Sequence, residues 1–195
     1  MAFSIPAMAA GTDWALNVWG GSGGTPPGGP WGNVNVVDNG NSLTFTVTLT
    51  GPDFFVDTGV HNVFTFNLNV NVDSIDTSAS FGTGLINGAY DNPNFGTFTD
   101  AIAFDSSGNN SHLPPLIFNV NRADGIDIAN IVPNGNGATF AADVLFQASG
   151  LTGTIGNGVP AIPEPETYAM MLVGFGLLGF VARRRKQSLA NVVPA

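Results

Sequence analysis

The chain has 195 residues, enough for one domain with its own core, and 44% of them are apolar while only 10% are charged. Before residue 159 it holds twelve Asp, no Glu and a single cation, Arg122, so this part carries a net charge of about −11 that repels nucleic acid and anionic lipid. Cysteine is absent, which excludes disulfides, thiolate nucleophiles and cysteine-ligated metal sites.

The first ten residues end in a pattern that signal peptidases accept. Ala7-Met8-Ala9 has the small-x-small spacing of a cleavage site, but the basic and apolar regions that should precede it are not in the sequence. We therefore expect residues 1–10 to be the remnant of a signal peptide whose true start lies upstream. The alternative is an ordinary unstructured N-terminus.

Alternation of apolar and polar residues predicts β-strands in the region that follows. Residues 42–50 place Leu, Phe and Val on one face and threonines on the other, and residues 64–72 repeat the pattern with asparagines on the polar face. Residues 51–59 are the predicted connection between them. Further strands are predicted at residues 15–19, 34–37, 96–104, 116–121, 127–131 and 139–147.

The spacing of these strands predicts the fold class. Roughly eight short strands, separated by turns rich in Asn, Asp and Gly, are typical of an all-β protein. We expect an antiparallel β-sandwich or jelly-roll-like ectodomain over residues 11–157. Residues 20–32, rich in Gly and Pro, are predicted to be a flexible loop or a linker.

Calcium is the metal that the loops suggest, because Asp and Asn oxygens in tight turns are the ligands that this hard cation prefers. No cluster has the spacing of an EF-hand or a nonapeptide repeat, and Asp and Asn are also ordinary turn residues, so both interpretations stay open. The candidate ligands, in three loop clusters, are Asp91, Asp105, Asn109, Asp124 and Asp127.

Two surface-binding hypotheses arise from the aromatic and threonine residues. Trp14, Trp19 and Trp31 lie in the N-terminal third of the chain and could stack on sugar rings; the alternative is packing in a sandwich core. The threonine row of residues 44–50 could order water against ice, although threonine on a solvent-facing strand is also simply a good strand former.

Catalytic motifs are missing from the sequence. It has no Gly-x-Ser-x-Gly elbow, no His-Glu-x-x-His and no Walker loop, and its two histidines, His61 and His112, are far apart. A carboxylate pair for glycoside hydrolysis could be drawn from the many aspartates, but nothing in the sequence selects one. We therefore predict that the protein is not an enzyme.

The C-terminal region begins with an apolar run. Residues 168–182 carry no charge and are followed by four cations, Arg183, Arg184, Arg185 and Lys186. As a helix this run is about 22 Å long and the hydrocarbon core is about 30 Å thick, so it spans only with bilayer thinning and snorkelling arginines. The positive-inside rule places residues 183–195 in the cytoplasm and the preceding chain outside. The alternative, a buried core helix, rarely ends in four consecutive cations.

A proline motif precedes the apolar run. Pro163, Glu164 and Pro165, within the segment 158–167, forbid helix and favour an extended strand that a protease could bind. This motif, the apolar run and the basic cluster together resemble the PEP-CTERM sorting signal of Gram-negative bacteria, over roughly residues 159–186. The resemblance implies recognition by an exosortase, a membrane-embedded cysteine transpeptidase-like enzyme, and release or re-attachment at the cell surface. Residues 187–195 extend further beyond the basic cluster than is usual.

Together these features predict an exported cell-surface or extracellular-matrix protein of structural or adhesive type. It would pass through the inner membrane as a single-pass intermediate held by its C-terminal helix. Exosortase is the predicted partner, and exopolysaccharide is a candidate partner. The alternative is a calcium- or glycan-binding module of an exopolysaccharide matrix, as in a biofilm. An ice-binding protein or a glycan hydrolase is less favoured.

Overall fold

A computed structural model describes residues 11–21, 24–26, 28–58, 62–78, 81–92, 94–104 and 111–158. All of them belong to one compact unit, residues 1–160. They form an all-β fold of antiparallel strands, as the sequence predicts. The strands are β1 (Thr12–Leu16), β2 (Val18–Trp19), β3 (Gly32–Asp38), β4 (Ser42–Leu49), β5 (Phe54–Val56), β6 (Phe64–Phe66), β7 (Ser74–Thr77), β8 (Thr83–Leu85), β9 (Tyr90–Asn92), β10 (Gly96–Phe98), β11 (Asp100–Ala103), β12 (Ser111–His112), β13 (Leu116–Asn121), β14 (Phe140–Phe146) and β15 (Leu151–Gly156).

These strands form two large sheets and one hairpin. The five-stranded sheet has the order β1-β3-β4-β13-β7, and the eight-stranded sheet runs β12-β5-β14-β6-β11-β8. On its other edge β14 pairs with β15, which in turn pairs with β2. Strands β9 and β10 pair only with each other. The hairpin is therefore free to pack on a face of a sheet rather than extend one.

Phenylalanine side chains from both large sheets form the core between them. Phe45 and Phe118 of the five-stranded sheet stack with ring centroids 4.7 Å apart. Phe66 of the eight-stranded sheet lies 5.1 Å from Phe45, and Phe64 lies 5.9 Å from Phe118. Burial of each such ring contributes about 1.5–3 kcal/mol. The two sheets thus pack face to face, as in a β-sandwich.

The hairpin β9–β10 covers part of the outer face of the eight-stranded sheet. Its Phe95 and Phe98 pack on Ala138, Ala141 and Val18 in a small second core. The amide of Asn134 fastens the hairpin, since its Nδ2 donates to the backbone oxygens of Phe95 (2.9 Å) and Thr97 (3.2 Å). This cover buries Ala141 of β14, while Phe140, Ala142, Val144 and Phe146 belong to the main core.

The predicted strand at residues 127–131 is wrong. Ile128–Asn130 is a short 3₁₀-helix, and Ile131 makes only an isolated bridge with Leu68. The side chain of Asn130 accepts a hydrogen bond from the Asp127 backbone N–H (2.9 Å), and the Asn130 N–H bonds the Asp127 carbonyl (3.1 Å). These local bonds use backbone N–H and carbonyl groups that a strand would pair with neighbouring strands.

Other boundaries also differ from prediction. The strand predicted at residues 15–19 is divided at Asn17 between β1 and β2, because Asn17 N–H donates to the Gly156 carbonyl (3.0 Å) outside the strand ladders. The strand predicted at residues 64–72 ends at Phe66, because beyond it the backbone bonds side chains: Leu68 N–H donates to Thr99 (2.9 Å) and Val72 N–H donates to Asn87 (2.8 Å). The predicted connection at residues 51–59 contains β5. The strand predicted at residues 96–104 is divided at Thr99 into β10 and β11.

The predicted membrane helix, residues 168–182, lies outside the described residues, as do residues 1–10. Within the described ranges no helix has both the length and the apolar character needed to cross a bilayer.

Candidate functional site

The outer face of the five-stranded sheet carries a network of polar side chains. Thr44 donates to Oδ1 of Asn119 on the neighbouring strand (2.7 Å) and accepts from Asn39 (3.0 Å). Strand pairing aligns Asn35 with Thr46, and Thr46 with Ile117, across three strands. We call this surface the open face; its residues are Asp13, Asn33, Asn35, Thr44, Thr46, Thr48, Asp76, Ile117, Asn119 and Asn121.

Both carboxylates of the open face lie on its outer strands and are hydrogen bonded. Asp13 accepts from Nδ2 of Asn33 (2.7 Å) and of Asn35 (3.1 Å), and these bonds lower the pKa of Asp13 because they stabilise the charged form. Asp76 accepts from Nδ2 of Asn121 (2.8 Å). The centre of the open face is therefore uncharged.

The threonine row predicted at residues 44–50 is one residue shorter in the structure. Thr44, Thr46 and Thr48 lie on β4, but Thr50 follows the end of that strand and donates to the carbonyl of Pro30 (3.0 Å). Asparagines flank the row on β3 and β13, so the open face mixes amide and hydroxyl groups.

An open depression of about 380 Å³ brings two of the predicted calcium ligands together. Asp124 and Asp127 line it, with Asp38 and Asn130. Arg122 also lines it, but its donors go to the backbone: Nε to Asn71 (3.1 Å) and Nη1 to Gly125 (2.6 Å). Its ion pair with Asp124 is 3.6 Å long and that carboxylate is 85% exposed, so the pair contributes little.

Of the remaining predicted ligands, only Asp91 lies within the described residues, and it does not line this depression. Asp91 lies on the hairpin and accepts a hydrogen bond from Thr97 (2.5 Å), while Asp105 and Asn109 lie outside the described residues. Among the residues that the structure describes, no three acidic or histidine side chains are grouped closely enough to hold a metal ion.

The three tryptophans pack against the core. Trp31 is 8% exposed, and its ring lies 6.4 Å from both Trp19 and Phe146. Trp14, half-buried, meets Phe140 edge to face at 5.3 Å. The indole N–H groups of Trp19 and Trp31 are buried and have no hydrogen-bond partner among the residues that the structure describes. These positions favour a packing role, and the glycan-stacking hypothesis stays a prediction.

Sequence reasoning missed a buried carboxylate, Asp100. It is fully buried on β11 and accepts from the Asn87 N–H (3.0 Å) and the Thr99 hydroxyl (2.6 Å). Burial raises the pKa of Asp100, and the two hydrogen bonds offset part of that effect. Asn87 in turn bonds both backbone groups of Val72 at 2.8 Å. The network fixes two loops, and no local signal in the sequence distinguishes Asp100 from the other aspartates.

The histidines do not form a catalytic pair in the described structure. His112 is half-buried, and its ring is tilted against those of Phe104 (centroids 4.6 Å apart) and Phe81 (5.2 Å); His61 lies outside the described residues. Contact with two phenylalanine rings is a packing environment for an imidazole.

Comparison with protein families concerns the C-terminal tail. Residues 161–186 match the family model described as the PEP-CTERM protein-sorting motif. The tail carries a PEP-CTERM sorting motif. This match confirms the resemblance predicted over roughly residues 159–186, and it includes Pro163, Glu164, Pro165 and the basic cluster. The motif implies export and a membrane-anchored sorting intermediate that an exosortase processes. No curated protein and no solved structure matches the chain.

Proposed function

We propose that the chain is a structural or adhesive protein of the cell surface or extracellular matrix, which an exosortase processes at its C-terminal tail. The observation that carries the proposal is the match of residues 161–186 to the sorting motif. The domain that is delivered is acidic and cysteine-free, and its open face presents amides and hydroxyls to solvent. We further propose that this domain has no catalytic activity.

The sorting step is tested by changing the proline motif. The double substitution Pro163→Ala and Pro165→Ala removes both restraints on the extended segment, and we expect unprocessed protein to accumulate in the membrane fraction. Replacing Pro52 and Pro133, two exposed loop prolines of the domain, with Ala is the matched control and should leave processing intact. Wild-type processing of the tail variant, seen on immunoblots of cell fractions, would contradict the proposal.

A second candidate function is a calcium- or glycan-binding module of an exopolysaccharide matrix. The observation that favours it is the depression lined by Asp38, Asp124 and Asp127, because exposed carboxylate oxygens beside one opening can accept hydrogen bonds from sugar hydroxyls, and one or two of them can bind a calcium ion that keeps water as its other ligands. The test is thermal unfolding of the full chain with and without calcium, and then with the host's polysaccharide. Binding should raise the melting temperature.

Substitution of single aspartates tests whether a calcium-dependent shift of the melting temperature arises at the depression. Asp127→Asn should abolish a calcium-dependent shift, whereas Asp91→Asn, on the hairpin, should preserve it. If neither calcium nor polysaccharide changes the melting temperature of the unmodified chain, the second candidate is excluded and the sorting proposal is unaffected.

A further inference from the structure

Five Asn–Gly bonds lie in the described part of the chain, at residues 39–40, 87–88, 134–135, 136–137 and 157–158. In this dipeptide the asparagine side chain is open to attack by the next backbone nitrogen, because glycine has no side chain to hinder the approach. We propose that Asn136–Gly137 is the site at which the folded domain deamidates, and that hydrogen bonds protect the other four.

The reaction needs only water as a co-reactant. The backbone nitrogen of Gly137 forms a bond to Cγ of Asn136, and the Cγ–Nδ2 bond breaks. Nδ2 leaves as ammonia, with the proton that the Gly137 amide loses. Water then opens the cyclic imide at either carbonyl and yields aspartate or isoaspartate. Ring closure requires rotation of the asparagine side chain toward the glycine nitrogen and loss of the glycine amide proton, so hydrogen bonds that fix the side chain or occupy that N–H oppose it.

Asn134 and Asn87 are held most firmly among the described Asn–Gly pairs. Asn134 makes four side-chain bonds: its Oδ1 accepts from Asn136 N–H (3.0 Å) and Ala138 N–H (3.1 Å), and its Nδ2 donates to the two hairpin carbonyls. Asn87 makes two side-chain bonds to Val72, and the Gly88 N–H donates to Thr99 (2.9 Å).

Asn157 and Asn39 are each held by two bonds. Oδ1 of Asn157 accepts from the N–H groups of Thr139 (3.1 Å) and Phe140 (2.7 Å). Nδ2 of Asn39 donates to Thr44 (3.0 Å), and the Gly40 N–H donates to the carboxylate of Asp38 (2.7 Å). The carboxylate also disfavours loss of the Gly40 proton, which attack by that nitrogen requires.

Asn136 is the least restrained of the five. It is exposed, and its side-chain amide makes no hydrogen bond to any residue that the structure describes. Only the bond from Gly137 N–H to the Asn134 carbonyl (2.9 Å) opposes ring closure. Conversion would place a new negative charge two residues from Asn134, which fastens the hairpin.

The test is to incubate the full chain in detergent at mildly alkaline pH and to measure each site by peptide mapping with isoaspartate detection. The denatured chain provides the reference, because there the five bonds share one dipeptide chemistry and should react at similar rates. In the folded chain we expect Asn136 to convert first, Asn39 about tenfold more slowly for its additional bond, and Asn134 most slowly.

Two substitutions complete the design. Asn136→Gln, whose longer side chain closes the ring poorly, should remove the early product, whereas Asn39→Gln should leave the early product unchanged. First conversion at any other Asn–Gly bond, or equal rates at all five in the folded chain, would overturn the proposal.

Discussion

The outer faces of the two large sheets differ in how their polar side chains are accommodated. The face of the five-stranded sheet is open, and its amides and hydroxyls bond one another or water. The face of the eight-stranded sheet is covered in part by its own chain, and Thr65, Asp143 and Thr154 are each fully inaccessible. Asn94 of the hairpin β9–β10 donates to Thr154 (3.0 Å), and Thr58 N–H donates to Asp143 (2.9 Å). The difference indicates that substitutions on the covered face should cost far more stability than those on the open face.

The largest expected effect comes from uncovering that face. Phe98 is 1% exposed in the small core beneath the hairpin, and Phe98→Ala should lower the free energy of unfolding by about 3–5 kcal/mol. The matched control is Ile117→Ala on the open face, where the side chain is 43% exposed and a cost near 1 kcal/mol or less is expected. Urea unfolding of both variants measures the difference, and equal losses would refute the contrast between the faces.

A smaller loss of stability is expected from substitution of Asp100, which lies on β11 of the eight-stranded sheet. Asp100→Ala leaves the Asn87 N–H and the Thr99 hydroxyl without their acceptor and should cost about 1–3 kcal/mol. Asp100→Asn keeps an oxygen for Asn87 and avoids a buried charge, so its cost should be clearly smaller. Urea unfolding at neutral pH distinguishes them. If both variants lose the same amount, the hydrogen bonds are not what stabilises the loops.

Asp100 of the eight-stranded sheet and Asp13 of the five-stranded sheet should contribute to the pH dependence of stability with opposite sign. The pKa of Asp100 is raised in the folded state, so its ionisation opposes folding: relative to Asp100→Asn, the wild type should lose stability as pH rises from about 3.8 through that raised pKa. The pKa of Asp13 is lowered, so relative to Asp13→Asn the wild type should gain stability as pH rises through the window below 3.8. Melting curves across this range provide the test. Parallel pH dependences for the two pairs would contradict the assignment.

The open face was accessible to sequence reasoning and the covered face largely was not. On β4, solvent on one side forces strict alternation, so a period of two identified the strand and its threonines. On β14 both faces are buried and the alternation disappears, so nothing in the sequence marks Asp143 as a buried carboxylate that accepts hydrogen bonds from the N–H (2.9 Å) and the hydroxyl of Thr58. Strand β15, with the sequence LTGTIG, was missed because glycine weakens the strand signal.

The candidate sites also differ in whether the sequence could reveal them. The sorting motif was predicted correctly because its prolines, apolar run and cations are contiguous in sequence. The depression, in contrast, joins Asp38 to Asp127 across the fold, and the packing of Trp31 on Trp19 depends on contacts between distant strands. Such contacts have no local pattern to reveal them.

The smallest expected changes in stability concern two threonines of the open face, Thr44 and Thr46. The Thr44 hydroxyl donates to Asn119 and accepts from Asn39, so Thr44→Val should cost about 0.5–1.5 kcal/mol by breaking both bonds. The hydroxyl of Thr46 bonds no residue in the described part of the chain, and Thr46→Val should change stability by less than about 0.5 kcal/mol, since valine suits a strand equally well. Urea midpoints of the two variants decide between them. An equal cost would mean that the hydrogen bonds of the open face exchange freely with water and do not fix its side chains.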